Sequence, residues 1–185
     1  TYNITNTAAG HAVQSFYGWV AQGIFQDSAD VKNHAKQTAG TGPGDLKFQD
    51  TNKDGVIDVN DRQFLGSFLP KFTYAFDLGV NYKNFDASVF FQGVQGNKIF
   101  NATRVITEGM VRFFNSGTEV LRAWTPTNKN TDIPRAVSSD PNQNARPSTR
   151  FLEDGSFFRL KNLIIGYTIP NSSLQSVTKG VVSNF

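Results

Sequence analysis

The sequence predicts an all-β chain, a segment of an antiparallel transmembrane β-barrel with long extracellular loops. Three observations point there. Residues 72–82 alternate strictly between apolar and polar side chains, the period of a strand with one greasy face. A two-residue turn then folds the chain back onto a second stretch of the same kind. The remaining connections run to roughly 40 to 60 residues, against medians of about 4 to 6 in compact soluble domains. Short turns at one end and long loops at the other are the pattern of an outer-membrane barrel. A soluble β-sandwich shares the alternation, but the loop asymmetry and the pairing arithmetic below favour the barrel.

Composition agrees. The 185 residues include 17 phenylalanines and 16 glycines, with 38% hydrophobic residues overall. Aromatics and glycine at this density favour strands and turns over helices. The net charge is only +3, with no basic run along a face, which argues against a nucleic-acid partner. There is no cysteine, so disulfides and thiolate metal sites are excluded. No run approaches the roughly 20 apolar residues of a membrane helix, and no charged-then-apolar leader opens the chain.

Taken in order, "SFYGWVAQGIFQ" is an aromatic strand candidate, followed by an extracellular loop over 27–70. A hairpin occupies 71–95. Its first strand places Phe72, Tyr74, Phe76, Leu78, Val80 and Tyr82 on one face, with Thr73, Ala75, Asp77, Gly79 and Asn81 on the other. With Lys83-Asn84 as the turn, Tyr82 pairs with Phe85, Val80 with Ala87, Leu78 with Val89 and Phe76 with Phe91. All of these fall on the apolar face. Phe72, Phe76, Leu78 and Val80 are expected to meet lipid, as are Val89, Phe91, Leu163 and Ile165. Asp77, Asn81, Asp86 and Ser88 are expected to face the lumen. Only Phe90 breaks the pattern, pointing the other way beside Asp77. A second long extracellular loop covers 96–156, and a strand covers 157–170 with Leu163, Ile165, Tyr167 and Ile169 on one side, Asn162, Gly166 and Thr168 on the other, and Ile164 as an exception. Residues 171–185 are expected to form a periplasmic turn toward a further strand, making 1–185 a fragment of a barrel domain.

Three stretches in this order carry a resemblance: "GDLKFQDTNKDGVIDVNDRQFLGSFLPKFTYAFDLGVNYKNFDASVFFQGVQGNKIFN", "RAWTPTNKNTDIPRA" and "RFLEDGSFFRLKNLIIGYTIP". Together they resemble the carboxy-terminal barrel region of SusC/RagA-type TonB-dependent transporters of Bacteroidetes. The resemblance implies an outer-membrane importer of about 22 strands with an internal plug. It also implies a SusD-like surface lipoprotein as cap, TonB–ExbB–ExbD as energy source, and oligosaccharides or peptides as substrates. Outer-membrane lipid and lipopolysaccharide would surround it. The implied role in nutrient import and polysaccharide utilisation involves no covalent chemistry.

"DTNKDGVIDVND", residues 50–61, has calcium-loop spacing. Asp50, Asn52, Asp54, Asp58 and Asp61 offer side-chain oxygens, and Val56 its carbonyl. Gly55 permits the sharp turn, and Ile57 can anchor the loop inward. Aspartate rather than glutamate at the twelfth place predicts a weak structural Ca²⁺ clip, of about 10⁻⁴ to 10⁻³ M affinity. The metal-free alternative is a turn whose aspartates and asparagines bond backbone amides. A rival function built on the same motif is a calcium-stabilised, non-catalytic glycan-binding or dockerin-like module. Dockerins, however, carry two copies with helices between, and here one copy precedes strands.

No enzyme is legible. His11 and His34 fit neither a metal pair nor a triad. "GTGPGD" lacks the end of a phosphate loop and is expected to bend into Asp45. Glu153-Asp154 is an acidic pair before Gly155 with no partner for acid–base work. No organic cofactor is expected, and the substrate-binding residues are unreadable.

Overall fold

The computed structural model describes residues 2–110, 115–170 and 173. The expected turn over 171–185 lies outside these, apart from Ser173, whose N–H bonds the carbonyl of Pro170 at 3.0 Å. The chain divides into two units, one of residues 1–69 with 97–155 and the other of residues 70–96 with 156–185. The structure is all-β with short helices, and no helix among the described residues is long and apolar enough to cross a membrane.

In the first unit, β1 (Thr5–Asn6), β2 (Ser15–Gly18) and β3 (Ala21–Ile24) lead into a one-turn helix, α1 (Ser28–Lys32). The aromatic candidate thus forms two short strands, interrupted at Trp19, which instead bridges Ser148. Asp27 caps α1 by accepting from the Asp30 amide at 2.8 Å. Next come β4 (Leu46–Phe48), a 3-10 turn over Val59–Asp61, and β5 (Gln63–Gly66). β1–β2–β5 form one small antiparallel sheet, and β3–β4 another. Trp19, Ile24, Leu46, Phe48, Ile57 and Trp124 close the core of this unit. The stretches 27–70 and 96–156 are therefore more than connections, since they fold with the amino-terminal residues around a shared core. Their anchors (Ile57, Trp124, Ile133, Phe151) stand singly in polar sequence, so no periodicity announces them.

The second unit carries β6 (Phe72–Tyr82) and β7 (Phe85–Gln95), each of eleven residues. Their register has Tyr82 opposite Phe85, Leu78 opposite Val89 and Phe76 opposite Phe91, as the alternation demands, with Asp77 opposite Phe90. The turn falls at Lys83-Asn84, as the pairing requires. The left-handed residue of the turn is Lys83 (φ 54°), not Asn84, the sign pattern of a type II′ hairpin turn.

Back in the first unit, β8 (Lys98–Phe100), α2 (Ala102–Thr107) and β9 (Leu152–Asp154) follow, β8 pairing with β9. Glu153 and Asp154 therefore lie in a strand. Glu153 accepts from Asn101 Nδ2 at 2.9 Å, and Asp154 approaches Lys98 at 3.8 Å.

β10 (Phe157–Tyr167) completes the second unit by pairing antiparallel with β7, giving the order β10–β7–β6. A register shift between Leu160 and Asn162 realigns the strand, after which Leu163, Ile165 and Tyr167 share the face of Val89, Ala87 and Phe85. β10 ends at Tyr167 rather than at residue 170. Its partner ends at the hairpin turn, where Thr168 N–H makes a last bond to the Asn84 carbonyl at 2.7 Å. The three strands form an open sheet, and no closed barrel is present among the described residues.

Candidate functional site

Two surfaces bear on function, the calcium-like loop of the first unit and the apolar face of the second. In the loop, Asp50 accepts from the amides of Lys53 (2.6 Å) and Gly55 (2.9 Å). Asn52 Oδ1 accepts from the Asp54 amide at 3.1 Å, and Asp54 Oδ1 from the Val56 amide at 2.9 Å. Asp58 Oδ1 accepts from the Asn60 amide, while Asp61 closes the loop with Oδ1 on Thr51 N–H (2.8 Å) and Oδ2 on Asp58 N–H (2.7 Å). Asp61 is fully buried, and Asp58 and Asp61 form a reciprocal capping box. Gly55 takes φ 84°, and Ile57 is buried in the core. Trp19 Nε1–H donates to the Asp58 carbonyl at 2.7 Å, tying the loop to that core.

The donors are all oxygen, the chemistry calcium requires. Each carboxylate oxygen keeps lone-pair capacity beyond the N–H it already accepts. Even so, no three acidic or histidine side chains among the described residues converge as a metal cluster. The geometry is that of a loop complete in its own hydrogen bonds.

A second polar centre was invisible in the sequence. Asp45, fully buried, accepts Nε–H and Nη2–H of Arg135 at 2.9 and 2.7 Å, together with Asn144 Nδ2 (3.0 Å) and the Gly42 amide (2.9 Å). Asn142, equally buried, accepts from Gln37 and Thr41 and donates to the Leu46 carbonyl. Every one of these groups is satisfied, which locks residues 37–46 onto 135–144. The bend of "GTGPGD" into Asp45 is thus the entry to a structural network. Nearby, Glu108 holds Arg104 at 2.7 Å and Arg150 at 2.8 Å. The Glu108 hydrogen bond raises the Arg104 guanidinium, while burial lowers that of Arg150. Lys47 beside Asp30 holds that carboxyl below its ordinary value. The histidines are structural: His11 stacks on Phe64 at 3.6 Å, and His34 Nδ1 accepts from Ala35 N–H beside Phe25, with burial pushing the imidazole down.

In the second unit the apolar face is uncovered. Leu78, Val80 and Ile165 are 63%, 62% and 71% exposed. Toward one end of the sheet, Phe158 stacks between Tyr74 (6.0 Å) and Phe91 (5.3 Å). At the other, Phe85 meets Tyr167 at 4.6 Å. A Cβ at Gly93 would strike the Tyr74 ring, so glycine there leaves room for the aromatic to lie across the sheet.

No family model matches the chain. It is 37% identical over 166 residues to TonB-dependent receptor P3 of Formosa agariphila, covering 89% of the chain and 16% of that protein. It is 39% identical over 171 residues to TonB-dependent receptor P26 of the same organism, covering 90% of the chain and 17% of that protein. The structure of the RagAB peptide transporter superposes with a TM-score of 0.61 at 27% identity, over 88% of the chain and 17% of that protein. The chain belongs to the TonB-dependent receptors, of the SusC/RagA type.

The chain spans about a sixth of the length of the curated relatives it matches. TonB-dependent receptors are outer-membrane proteins, and that location accounts for the uncovered face of this one. Eleven residues at about 3.3 Å each reach roughly 36 Å. Tilted by about 40°, such strands span about 28 Å, close to the hydrocarbon thickness. A soluble protein rarely leaves so continuous an apolar face in water. The opposite face of this receptor segment carries Asp77, Asn81, Asp86 and Ser88 in register positions alternate to the apolar set, with Phe90 and Ile164 as apolar exceptions among them.

Proposed function

We propose that this TonB-dependent receptor segment forms part of the wall of a closed outer-membrane barrel that imports oligosaccharides or short peptides. The observation that carries the reading is the three-stranded sheet with one continuous apolar face and one polar face. Relatives named as receptors, and a structural neighbour named as a peptide transporter, support transport rather than catalysis. In this reading a SusD-like lipoprotein caps the receptor, TonB–ExbB–ExbD energises it, and residues 50–61 and 96–156 lie outside the cell. In cells carrying the full-length receptor, nutrient uptake should require both the receptor and TonB. An epitope at Lys129, in an exposed stretch, should be stained on intact cells. Uptake indifferent to TonB, or staining only after permeabilisation, would overturn the reading. Asn142 is unsuitable for such a tag because it lies at the heart of the buried network.

We further propose that the loop of Asp50, Asn52, Asp54, Val56, Asp58 and Asp61 takes calcium as a weak structural clip. The spacing of its oxygen donors and the inward anchor Ile57 support this. Calorimetric titration of the full-length protein should give a dissociation constant of about 10⁻⁴ to 10⁻³ M. Asp54→Ala should weaken binding at least tenfold and hasten protease cleavage within the loop. If neither changes, the loop is a metal-free turn.

A further inference from the structure

The first unit contains a cavity of about 450 Å³, toward the small end of ligand pockets. Ile4, Phe100, Val105 and Ile106 make its apolar walls, and Gln143 and Arg146 supply polar groups. Arg146 is only 6% exposed. Its Nε donates to the Gln143 carbonyl at 3.0 Å and its Nη2 to the Asn142 carbonyl at 2.7 Å. Its guanidinium lies over Phe48 at 4.4 Å and Trp19 at 5.0 Å. Arg150 has Glu108 and Arg135 has Asp45 at ion-pair distance, whereas among the described residues Arg146 has no carboxylate that close: Asp140 acts on it only through space, and its two hydrogen bonds leave Nη1 free to donate. A buried guanidinium with no carboxylate in direct contact keeps donor capacity for one.

The neighbouring loop is held in an uncommon backbone. Ser139, Asp140 and Gln143 all have positive φ (67°, 43° and 56°), a conformation that persists only where the surroundings enforce it. Two carboxylate hydrogen bonds help, since Asp140 accepts the amides of Asn144 (2.7 Å) and Ala145 (2.9 Å). The loop thereby fixes Gln143, whose Oε1 accepts from Tyr2 Oη at 3.2 Å, leaving its amide N–H groups without a partner among the described residues.

We propose that this cavity binds the free carboxy terminus of a peptide that ends in an aliphatic residue. The carboxylate would be matched by Arg146 Nη1 and Gln143 Nε2, and the aliphatic side chain by Ile4, Val105 and Ile106. A sugar fits less well, because its hydroxyls would meet apolar walls and find few partners. The inference rests on the importer reading and narrows its substrate class.

The test uses the purified full-length receptor and three tetra-alanyl probes: one ending in leucine as the free acid, its carboxamide, and one ending in serine. The leucine acid should bind at least tenfold more tightly than either of the others. Arg146→Gln should abolish the preference for acid over amide. Ile106→Asp, 53% exposed and so tolerant of substitution, should abolish the preference for leucine over serine by putting a charge in the apolar wall. Equal binding of acid and amide by the unaltered receptor overturns the proposal, as does a preference for leucine over serine unchanged in Ile106→Asp. Octanoate binding as tightly as the leucine peptide would assign the cavity to a fatty acid and also overturn it. In each of those cases TonB-dependent uptake would persist and the importer reading would stand. Absence of TonB-dependent uptake by the unaltered receptor would dismiss the importer reading itself.

Discussion

Replacing Arg135 by methionine in the full-length receptor is expected to destabilise the region around residues 37–46 by about 3 kcal/mol. That is the low end of the roughly 3 to 5 kcal/mol seen when one partner of a buried ion pair is removed. The reason for an effect this large is Asp45, which has no solvent exposure and would keep its charge without its cation. The reason for the low end is that Asn144 and the Gly42 amide would still hold two of its lone pairs. Amide hydrogen exchange should report it, with protection at Leu46 and Phe48 falling about 100-fold. Both amides depend on side chains in the network, Leu46 on Asn144 and Phe48 on Gln37. Adding Asp45→Asn to Arg135→Met should recover part of the loss, because the uncompensated charge is then gone. Exchange unchanged in the single variant would mean that the pair is dispensable.

Leu78→Lys should cost about 2 to 4 kcal/mol in the membrane, the range for a cation on the lipid face near the midplane. Asn81→Lys, at an alternate register position on the other face, should be close to neutral. The contrast follows from the pairing of Leu78 with Val89 on the uncovered apolar face, and of Asn81 with Asp86 on the polar one. Spin labels report the same alternation without relying on stability. A label at Leu78 should collide with lipid-dissolved oxygen, and one at Asp77 with an aqueous quencher. The reverse accessibility would mean that the sheet presents its polar side to lipid and that the register has been assigned to the wrong face.

The sheet was legible because its cause is local and periodic. In β6 the side-chain period of two is uninterrupted, and β7 keeps it over residues 85–89 before Phe90 turns to the other face. A one-residue slip would move Leu78, Val80 and their partners to the polar face, so the alternation alone specifies the register. The turn was nearly legible: its position followed from pairing, but the choice of Lys83 over Asn84 for the left-handed residue is a matter of backbone geometry. The loop 50–61 was legible as a motif for the same reason, since its donors bond amides two to five residues away in most cases.

The long stretches between the strands follow a different logic. Nothing local in "GTGPGD" or "DPNQNARPS" indicates that Asp45 meets Arg135, or that Asn142 meets Gln37, because those contacts join residues about 90 and 105 positions apart. The same is true of Arg146, which looks in sequence like one more solvated cation and is buried between Trp19 and Phe48. A strand's face is set by the repeat of its own side chains, so the sheet could be read from local pattern. A buried polar network is set by which distant donors and acceptors the fold brings within 3 Å of each other, and that only the folded chain could decide.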